Sequence, residues 1–445
     1  MKLPALALIA AAAASHAAEP LSLGQAVATA LSKHPSLAAA SAHTSAAAER
    51  ITQARAGFQP KLNYQESVQG SNNPVFVFGS LLTQRQFTEK NFAVDKLNRP
   101  GVLANFQSLV SLDQSLYDGG QTKAHIRTAE AGKKAAAEGE REVRMRVIAN
   151  VVRAYFGTML AAETVKTAEE AMRSAEADLK RAGTVRDAGM ATDADVLAIR
   201  VHLASTREQK IRREADLTVA RAALNEALGL PLDTEHELTT PLAAMKEKPD
   251  SVVELESEAL RLRPDAKQAE HGVEAAESQL AAARAARLPQ ISARAAFEAD
   301  RQRFITRAGA NFFVGGTLRW NLFDGNAAKS RVAEASSQTR AAQAQRSQLH
   351  QGVKLEVRRA HAGRVAAEQS LEVAEATVAQ AEEGLRIIKN RFEAGLTTVT
   401  ELLRAETALL DVKTRRLAAI HDQRLAATAL ELSAGILSES SEVLR

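Results

Sequence analysis

Two acidic residues stand at matching positions in the chain, each three residues after a threonine. Thr192 precedes Asp195 in the stretch ATDADVL, and Thr398 precedes Glu401 in the stretch TTVTELL. A threonine and an acid at this spacing can exchange hydrogen bonds across the first turn of a helix, where an acid also favours the helix dipole. These residues therefore predict helix capping, with a negative charge held at each helix start.

Catalytic and metal-binding patterns are missing from the sequence. It has no nucleophile elbow, phosphate-binding loop or dinucleotide-binding glycine motif. The ten histidines include no pair four residues apart, and the chain contains no cysteine. The sequence therefore has no local pattern of a helical or thiolate metal site. We predict no enzyme activity, no metal and no cofactor.

A second repeated pattern, Leu-aromatic-Asp-Gly, occurs in SLYDGG and in NLFDGN. Asp118 and Asp324 can accept hydrogen bonds from the free N–H groups of a following helix. Gly119 with Gly120 in the first copy, and Gly325 in the second, permit a sharp turn with positive φ. Either copy alone is compatible with an ordinary turn, but the pair predicts two places where a strand leads into a helix.

These patterns belong to a larger duplication. Four landmarks recur in the same order: Pro35, Pro60, Asp118 and Gly189 in the first half, and Pro264, Pro289, Asp324 and Gly395 in the second. The first two pairs share one offset and the last two share another, because the first half has extra residues between Pro60 and Asp118. Repeats of this kind indicate two copies of one structural unit.

The duplication defines the expected domains. In a first repeat, residues 18–230, we expect helices over 22–56, with a break at Pro35, over 121–187 and over 193–228, and strands over about 60–70 and 103–117. In a second repeat, residues 253–435, we expect helices over 253–287, 327–393 and 399–433, and strands over about 290–300 and 312–323. Residues 231–252 form a linker, and residues 436–445 form a tail.

The four strands are predicted from alternation of apolar and polar residues, which gives a strand one apolar and one polar face. All but three of the Phe, Tyr and Trp residues lie within 58–117 or 297–323, the exceptions being Tyr155, Phe156 and Phe392. In a membrane strand such aromatic residues form a belt at the lipid interface. We assign that belt to Tyr64, Phe297, Trp320 and Phe323.

The long helices carry a seven-residue apolar step, which is typical of a coiled-coil seam. The step runs through Leu396, Leu403, Leu410 and Leu417 in the second repeat, and through Met190, Leu197, Ala204 and Ile211 in the first. Ala is abundant, and Ala favours helices. The sequence therefore predicts helices that pack along their length.

The N-terminus has the composition of a secretory signal peptide. Lys2 precedes an apolar run, and Ser15 and Ala17 place small residues before a cut after Ala17, so residues 1–17 are expected to be removed. No cysteine is present for a lipid anchor. The formal net charge is +4, but the charges are mixed along the helices, which favours solvated helix faces over a nucleic-acid surface.

Four strands of about ten residues match the ~9–11 residues that cross a bilayer as a tilted strand. Four strands cannot stand in lipid as an open sheet, because the edge N–H and C=O groups would have no partners. Chains would then have to assemble, two giving eight strands and three giving twelve. A soluble β-domain is the competing interpretation of the same alternation.

The chain resembles the outer-membrane efflux protein family, the TolC-like channels of Gram-negative bacteria. The resemblance covers about Leu21 to Leu437 and depends on the twin helix-Pro openings, on SLYDGG and NLFDGN, and on AGMATDADVL and AGLTTVTELL. It implies a mixed fold: long coiled-coil helices forming a periplasmic α-helical barrel, and four strands per chain in a trimeric, twelve-stranded outer-membrane β-barrel. It also implies a homotrimer in contact with outer-membrane lipid, a periplasmic adaptor and an inner-membrane pump of RND, ABC or MFS type.

In that family the helix-turn-helix tips form the periplasmic mouth and contact the adaptor. The matching residues here are Arg186, Gly189, Thr192, Asp195, Val196 and Leu197, and Arg391, Gly395, Leu396, Thr398, Glu401, Leu402, Leu403 and Arg404. Threefold symmetry would turn one carboxylate into a ring that favours cations, whereas capping explains Asp195 and Glu401 equally well. Some relatives carry a second acid where this chain has Arg404, which we expect to pair with Glu401 or to reduce cation preference.

The extra residues of the first half lie around 71–101, where Asn73-Pro74 and Arg99-Pro100 are typical of loops. They form either a long extracellular loop at the outer mouth or a tolerated surface insertion. The expected function is a passive exit duct for efflux or type I secretion. The alternative is a periplasmic coiled-coil adaptor or structural protein, which would not need amphipathic strands with segregated aromatic residues.

Overall fold

The structure is a computed structural model that describes residues 19–189, 191–245, 251–305 and 308–444. The predicted signal peptide, residues 1–17, lies outside the described residues, as does Met190 of the seven-residue step. No helix in the described part of the chain is both long enough and apolar enough to cross a membrane.

Helices and strands alternate in blocks along the chain. The helices are α1 Leu23–Lys33, α2 Pro35–Arg55, α3 Pro74–Thr83, α4 Val94–Asn98, α5 Gln121–Asp187, α6 Asp193–Leu228, α7 Val252–Leu262, α8 Pro264–Ala285, α9 Ala327–Glu393 and α10 Val399–Ala434. The strands are β1 Glu19–Leu21, β2 Lys61–Ser71, β3 Leu103–Tyr117, β4 His236–Leu238, β5 Gln290–Arg301 and β6 Gly309–Arg319. Short 3-10 turns occur at Ala56–Phe58, Glu89–Phe92 and Glu442–Leu444.

Local sequence explains where the first helices begin. Ser22 and Gln25 form the expected capping box before α1, with the Ser22 N–H donating to Gln25 Oε1 at 2.9 Å. Pro35 is the first residue of α2 and Pro264 the first residue of α8. Proline is favoured at a helix start, where its missing N–H breaks no helical hydrogen bond. Each expected opening helix is therefore two helices separated at a proline.

Contacts between residues divide the chain into two units. The helical unit comprises the residues up to Ala42, Glu138–Lys267 and the residues from Gln348 onward, and the sheet unit comprises His43–Ala137 and Gln268–Ser347. Each unit takes segments from both halves of the sequence, so these compact units are not the two sequential repeats, whose duplication stays a prediction.

The sheet unit contains a four-stranded antiparallel sheet in the order β2-β3-β5-β6. One cross-strand row joins Tyr64, Val110, Phe297 and Phe312. Because side chains alternate along a strand, the residues of this row and every second residue from it share one face. We call it the apolar face, since its members also include Leu62, Val68, Leu112, Ile291, Ala295, Val314 and Leu318. Polar residues also lie on it, and Arg301 there donates to Ser108 Oγ at 2.7 Å and to Glu66 Oε1 at 2.8 Å.

The opposite face is mostly polar, although Leu109 and Phe313 also lie on it, and we call it the polar face. Its members include Asn63, Gln65, Gln69, Asn105, Gln107, Ser111, Arg294, Glu298, Asp300, Asn311 and Thr317. Large apolar side chains remain exposed on the apolar face in the single chain, with Tyr64 68%, Phe312 84% and Val314 74% exposed. The outer strands β2 and β6 each leave one edge unpaired within the described chain.

The expected strand over 312–323 was wrong at its end. β6 runs from Gly309 to Arg319, so Trp320 and Phe323 lie beyond it in irregular backbone. Arg319 pairs with Gln290, and the residue before Gln290 is Pro289, which has no N–H to extend the ladder. The second Leu-aromatic pair therefore follows its strand, whereas Leu116-Tyr117 does end β3.

Residues 71–101 are not an irregular loop. Asn73 Oδ1 accepts hydrogen bonds from the N–H groups of Val75 at 3.0 Å and Phe76 at 3.2 Å, and Pro74 is the first residue of α3. The Asn-Pro pair that suggested a loop is in fact a helix cap followed by proline at the first helical position.

The main core of the helical unit surrounds Tyr155 and Phe156, which are fully buried. The Tyr155 hydroxyl donates to the Leu21 carbonyl at 2.9 Å and accepts from the Thr240 N–H at 2.8 Å. It thereby ties β1 to the segment after β4, while β1 and β4 themselves pair as parallel strands. The region expected to be a linker, residues 231–252, thus contributes a strand to this unit.

Candidate gate at the helix tips

The first tip joins α5 to α6 through a short turn. Gly189 has φ +76°, a conformation that favours glycine. Thr192 and Asp195 form the expected capping box: the Thr192 N–H donates to Asp195 Oδ2 at 3.0 Å, and the Asp195 N–H donates to Thr192 Oγ1 at 3.2 Å. Hydrogen bonds from the Thr192 hydroxyl and N–H hold the pKa of Asp195 below its ordinary value, against the weak opposing effect of burial. Asp195 therefore carries a fixed negative charge.

The second tip, between α9 and α10, differs from the first in the contacts of its acidic residue. Gly395 has φ +71°, and the Glu401 N–H donates to Thr398 Oγ1 at 3.4 Å. The Glu401 carboxylate pairs with Arg404, whose Nη1 lies 2.9 Å from Glu401 Oε1. At the place that matches Arg404, the first tip has Ala198. The pairing expected for Arg404 is therefore present, and the two tips hold unequal net charge.

Basic and acidic residues also surround the first tip. Arg186 Nη2 donates to Asp187 Oδ1 at 2.6 Å, and its Nη1 lies 3.6 Å from Asp193 Oδ1. The hydrogen bond and charge of Asp187, with a smaller effect of Asp193, raise the pKa of Arg186 further. The Arg186 side chain is thus held by local acids, whereas Arg391 is exposed at the second tip.

The tips of one chain share a small core. Val196 and Ile199 of α6 are buried with Val399 of α10 and Ala182 of α5. Leu179, Phe392 and Leu403 pack against this cluster as partly buried residues. Phe392, one of the three aromatic residues outside 58–117 and 297–323, therefore contributes to the contact between the two tips. Packing of this kind makes the two tips one structural element.

The residues predicted at the tips differ in exposure. Val196 is 6% exposed and Leu402 is fully buried, whereas Leu197 and Leu396 are 55% and 68% exposed. Buried residues position the tips, and only the exposed ones offer surface to another molecule. A groove of about 1110 Å³ runs between α6 and α10 beside them, and Leu403, Arg404 and Leu410 are among its lining residues.

A buried cluster of ionisable groups lies further along the same helices. Glu406 Oε2 lies 3.5 Å from His202 Nε2, and Ser174 Oγ donates to Glu406 Oε1 at 3.1 Å. Asp178, with only 2% of its side chain exposed, accepts from Arg181 Nη1 at 2.9 Å and lies 3.6 Å from Lys389 Nζ. The cluster draws on α5, α6, α9 and α10, and Glu406 and His202 line a cavity of about 210 Å³.

Sequence reasoning missed this cluster, although a sign of it exists. Leu402, Glu406 and Leu409 follow the three-and-four spacing of one helix face, as do Ala175, Asp178 and Ala182. An acid inside such a stripe indicates a buried charge with partners on another helix. No group of three or more His, Asp or Glu in the described ranges is placed to hold a metal ion.

The strand-to-helix turns have the predicted conformation. Gly119, Gly120 and Gly325 have φ values of +69°, +92° and +66°. Asp118 Oδ1 accepts from the Gly120 N–H at 2.9 Å and its Oδ2 from the Thr122 N–H at 2.6 Å, while Asp324 Oδ2 accepts from the Ala328 N–H at 2.8 Å. Burial raises the pKa of Asp118, but hydrogen bonds from Thr122 and Gly120 outweigh it and lower the pKa overall.

A family model described as outer membrane efflux protein matches residues 26–230 and 255–436, which is most of the chain. The chain belongs to the outer membrane efflux protein family. Members of this family are ducts of the outer membrane rather than enzymes.

Individual relatives agree with this assignment. Protein CyaE of Bordetella pertussis is 29% identical over 353 residues, which cover 78% of this chain and 73% of CyaE. The cation efflux system protein CusC of Escherichia coli K12 is 32% identical over 164 residues, which cover 36% of this chain and 34% of CusC.

Solved structures of family members share the fold. CusC superposes with a TM-score of 0.79 at 19% identity, over 93% of this chain and 92% of CusC. The CmeC outer membrane channel of Campylobacter jejuni gives a TM-score of 0.79 at 18% identity, over 95% of this chain and 87% of CmeC. The fold of this family member is therefore TolC-like.

Proposed function

We propose that this family member is a passive exit duct in which three copies close a twelve-stranded barrel in the outer membrane. The supporting observation is the four-stranded sheet with one exposed apolar face and two unpaired edges. In lipid, such edges require partners, and a neighbouring copy supplies them. Since the four strands alternate in direction, β6 of one copy would run antiparallel to β2 of the next, as a closed antiparallel barrel needs.

The helical unit supports the second half of the proposal, a helical tube that ends at the tips. Along the predicted seam, Leu197 and Ile211 are 55% and 61% exposed in the single chain. Apolar residues at seven-residue steps pack against another helix in a coiled coil. Helices of neighbouring copies would cover these residues, and the groove between α6 and α10 would receive a helix of a neighbouring copy or of a periplasmic adaptor. An inner-membrane pump would then supply the exported molecule.

At the tips, we assign the gate to the carboxylates of Asp195 and Glu401. Three copies would place three of each around one axis, and negative charge at a constriction favours cations. The Asp195 carboxylate accepts a hydrogen bond from the neutral Thr192 hydroxyl, whereas the Glu401 carboxylate shares its charge with Arg404. Asp195 would therefore be the stronger contributor to the ring.

Two measurements on the purified full chain test the proposal. Native mass determination in detergent should give three chains per complex, and the complex should form ion-conducting pores in planar bilayers. A trimer without conductance would contradict the duct, and a conducting complex of another size would contradict the ring of three. Recovery of a detergent-free monomer from the periplasm would instead favour the alternative function as a periplasmic adaptor.

A further inference from the structure

The segment between β2 and β3, residues Asn72 to Val102, is longer than the connection requires. Ser71 at the end of β2 pairs directly with Leu103 at the start of β3. Antiparallel strands in this register can be joined by a two-residue turn. We call residues 72–102 the outer segment, and it is far longer than such a turn.

The outer segment is folded rather than loose. The Phe78 and Phe87 rings lie 5.0 Å apart edge to face, and Phe87 and Phe92 repeat this arrangement at 5.0 Å. Edge-to-face pairs of aromatic rings stabilise a core beyond simple burial. Together with the Asn73 cap of α3, these ring contacts give the segment a defined fold, although Phe78 and Phe92 are 37% and 64% exposed.

One contact of the outer segment is made to the polar face of the sheet. Gln84, which is 2% exposed, donates through Nε2 to Asn105 Oδ1 at 2.9 Å and to the Ala104 carbonyl at 3.2 Å. Asn105 Nδ2 in turn donates to Asp300 Oδ1 at 2.7 Å, and Asp300 is 1% exposed. Asn105 and Asp300 both belong to the polar face, so the segment covers that face and not the apolar one.

A second contact is made to the start of β6. A Cβ atom placed on Gly309 would lie 1.9 Å from the Thr83 carbonyl oxygen, so the backbone of the segment approaches this strand too closely for any side chain. Arg85 has φ +52° and donates through Nη2 to the Ala310 carbonyl at 2.8 Å. A non-glycine residue keeps such a conformation only when its surroundings fix it, so residues 83–85 are held firmly against the sheet.

From these contacts we propose that the outer segment is a folded plug that narrows the outer mouth of the pore and gives it positive charge. The proposal rests on the proposed function, in which the polar face lines the water-filled lumen. A segment fastened to that face stands inside the pore, whereas a segment on the apolar face would stand in lipid. Its exposed basic residues outnumber its acids: Arg85, Lys90, Lys96 and Arg99 against Glu89 and Asp95.

The test replaces residues 72–102 by Asn-Gly, which joins Ser71 to Leu103 in a tight hairpin without disturbing the register. In planar bilayers, the variant should conduct more than the full chain, because one of two constrictions in series is removed. Its reversal potential in a salt gradient should shift towards greater cation preference, since a net positive charge is lost. The matched control is Val75→Ala, which alters an 81% exposed side chain of the same segment and should leave both readings unchanged.

A full-length variant covers the case in which the hairpin replacement does not assemble. Gln84→Ala with Arg85→Ala removes the hydrogen bonds to the sheet and should raise the mean conductance while trimers remain resistant to dissociation. Pores of equal conductance and equal selectivity in all variants would overturn the plug while leaving the duct intact. Absence of pores from the full chain and from every assembled variant would instead contradict the proposed function on which the plug depends.

Discussion

Glu406 Oε2 of α10 lies 3.5 Å from His202 Nε2 of α6, inside the helical unit and near the tips. Asp178 and Lys389 approach the same pair from α5 and α9, and Arg181 binds Asp178. Burial, reinforced by the hydrogen bond and charge of Asp178, raises the pKa of Glu406 to about 8. Helices that carry the tips thus meet at a carboxyl that holds its proton near neutral pH.

The raised pKa of Glu406 predicts that stability falls as pH rises. Between its ordinary value of 4.5 and about 8, the folded chain holds a proton that the unfolded chain loses. Stability should therefore decrease with pH in this window, by at most about 1.4 kcal/mol per unit. Burial lowers the pKa of His202, although the charge of Asp178 opposes this effect. His202 should therefore make stability rise with pH, and only below about its ordinary pKa of 6.5.

Thermal unfolding between pH 6.5 and 8 measures the Glu406 effect apart from His202. Glu406→Gln mimics the protonated carboxyl and should remove most of the downward slope of melting temperature with pH. Glu208→Gln, on an exposed carboxylate of α6 that pairs with Arg212, is the control and should keep the slope. A slope that survives in Glu406→Gln would show that this carboxyl is not the titrating group.

Substitutions at the gate acids separate capping from charge. Asp195→Asn with Glu401→Gln keeps hydrogen-bond acceptors and removes both charges, whereas Asp195→Ala with Glu401→Ala also removes the acceptor of the Thr192 N–H while both threonine caps remain. We expect the amide pair to reduce cation preference in planar bilayers, and the alanine pair to raise basal conductance as well. Glu208→Ala should change neither property. Unchanged conductance and selectivity in both pairs would remove these acids from the gate.

Removal of Arg404 should change ion selectivity in the direction opposite to removal of the gate acids. Arg404→Ala frees the Glu401 carboxylate from its partner at 2.9 Å and should increase cation preference. Because part of the effect acts through Glu401, it should be smaller when Glu401→Gln is already present. Arg261→Ala, which breaks an exposed pair with Glu258 on α7, serves as the control. An equal shift in the presence and absence of Glu401 would mean that Arg404 acts on its own.

The two strand-to-helix glycines predict unequal stability losses. Gly119→Ala and Gly325→Ala both place alanine at positive φ, which costs roughly 1–2 kcal/mol. A Cβ on Gly119 would also lie 2.7 Å from the Ala285 carbonyl oxygen, whereas nothing lies within 4 Å of one on Gly325. Gly119→Ala should therefore lower the melting temperature of the assembled protein further than Gly325→Ala. Equal losses would show that backbone strain alone accounts for both.

Patterns within the sequence predict the elements that local chemistry determines. Period-two alternation locates β2, β3 and β5, and the Thr-x-x-acid pattern locates the start of α6 at Asp193. Such patterns do not predict contacts between segments that are far apart in the sequence. Glu19–Leu21 pairs with His236–Leu238, and the Tyr155 hydroxyl bridges Leu21 and Thr240 beside this pair. Neither three-residue strand has a sequence pattern that identifies the other as its partner.

At the candidate gate, too, some features follow from the sequence and others depend on contacts between helices. Caps and glycines at the tips follow from residue type and spacing, as Thr192 and Gly395 illustrate. Burial of Val196 and Leu402 instead depends on how the tips of two helix pairs meet, which a single helix pattern does not contain. The Glu406 cluster likewise needs four helices in register before its charges become neighbours.

The fluorescence of Trp320, the one tryptophan of the chain, tests most directly whether the sheet contacts lipid. This side chain is 54% exposed just after β6, where an interfacial aromatic belt is expected. In vesicles, lipids brominated near the headgroup should quench it, and in a variant with Trp320→Phe and Phe312→Trp, lipids brominated deeper in the chain should quench more strongly. Emission that no brominated lipid quenches in either protein would place the sheet in water and contradict the membrane duct.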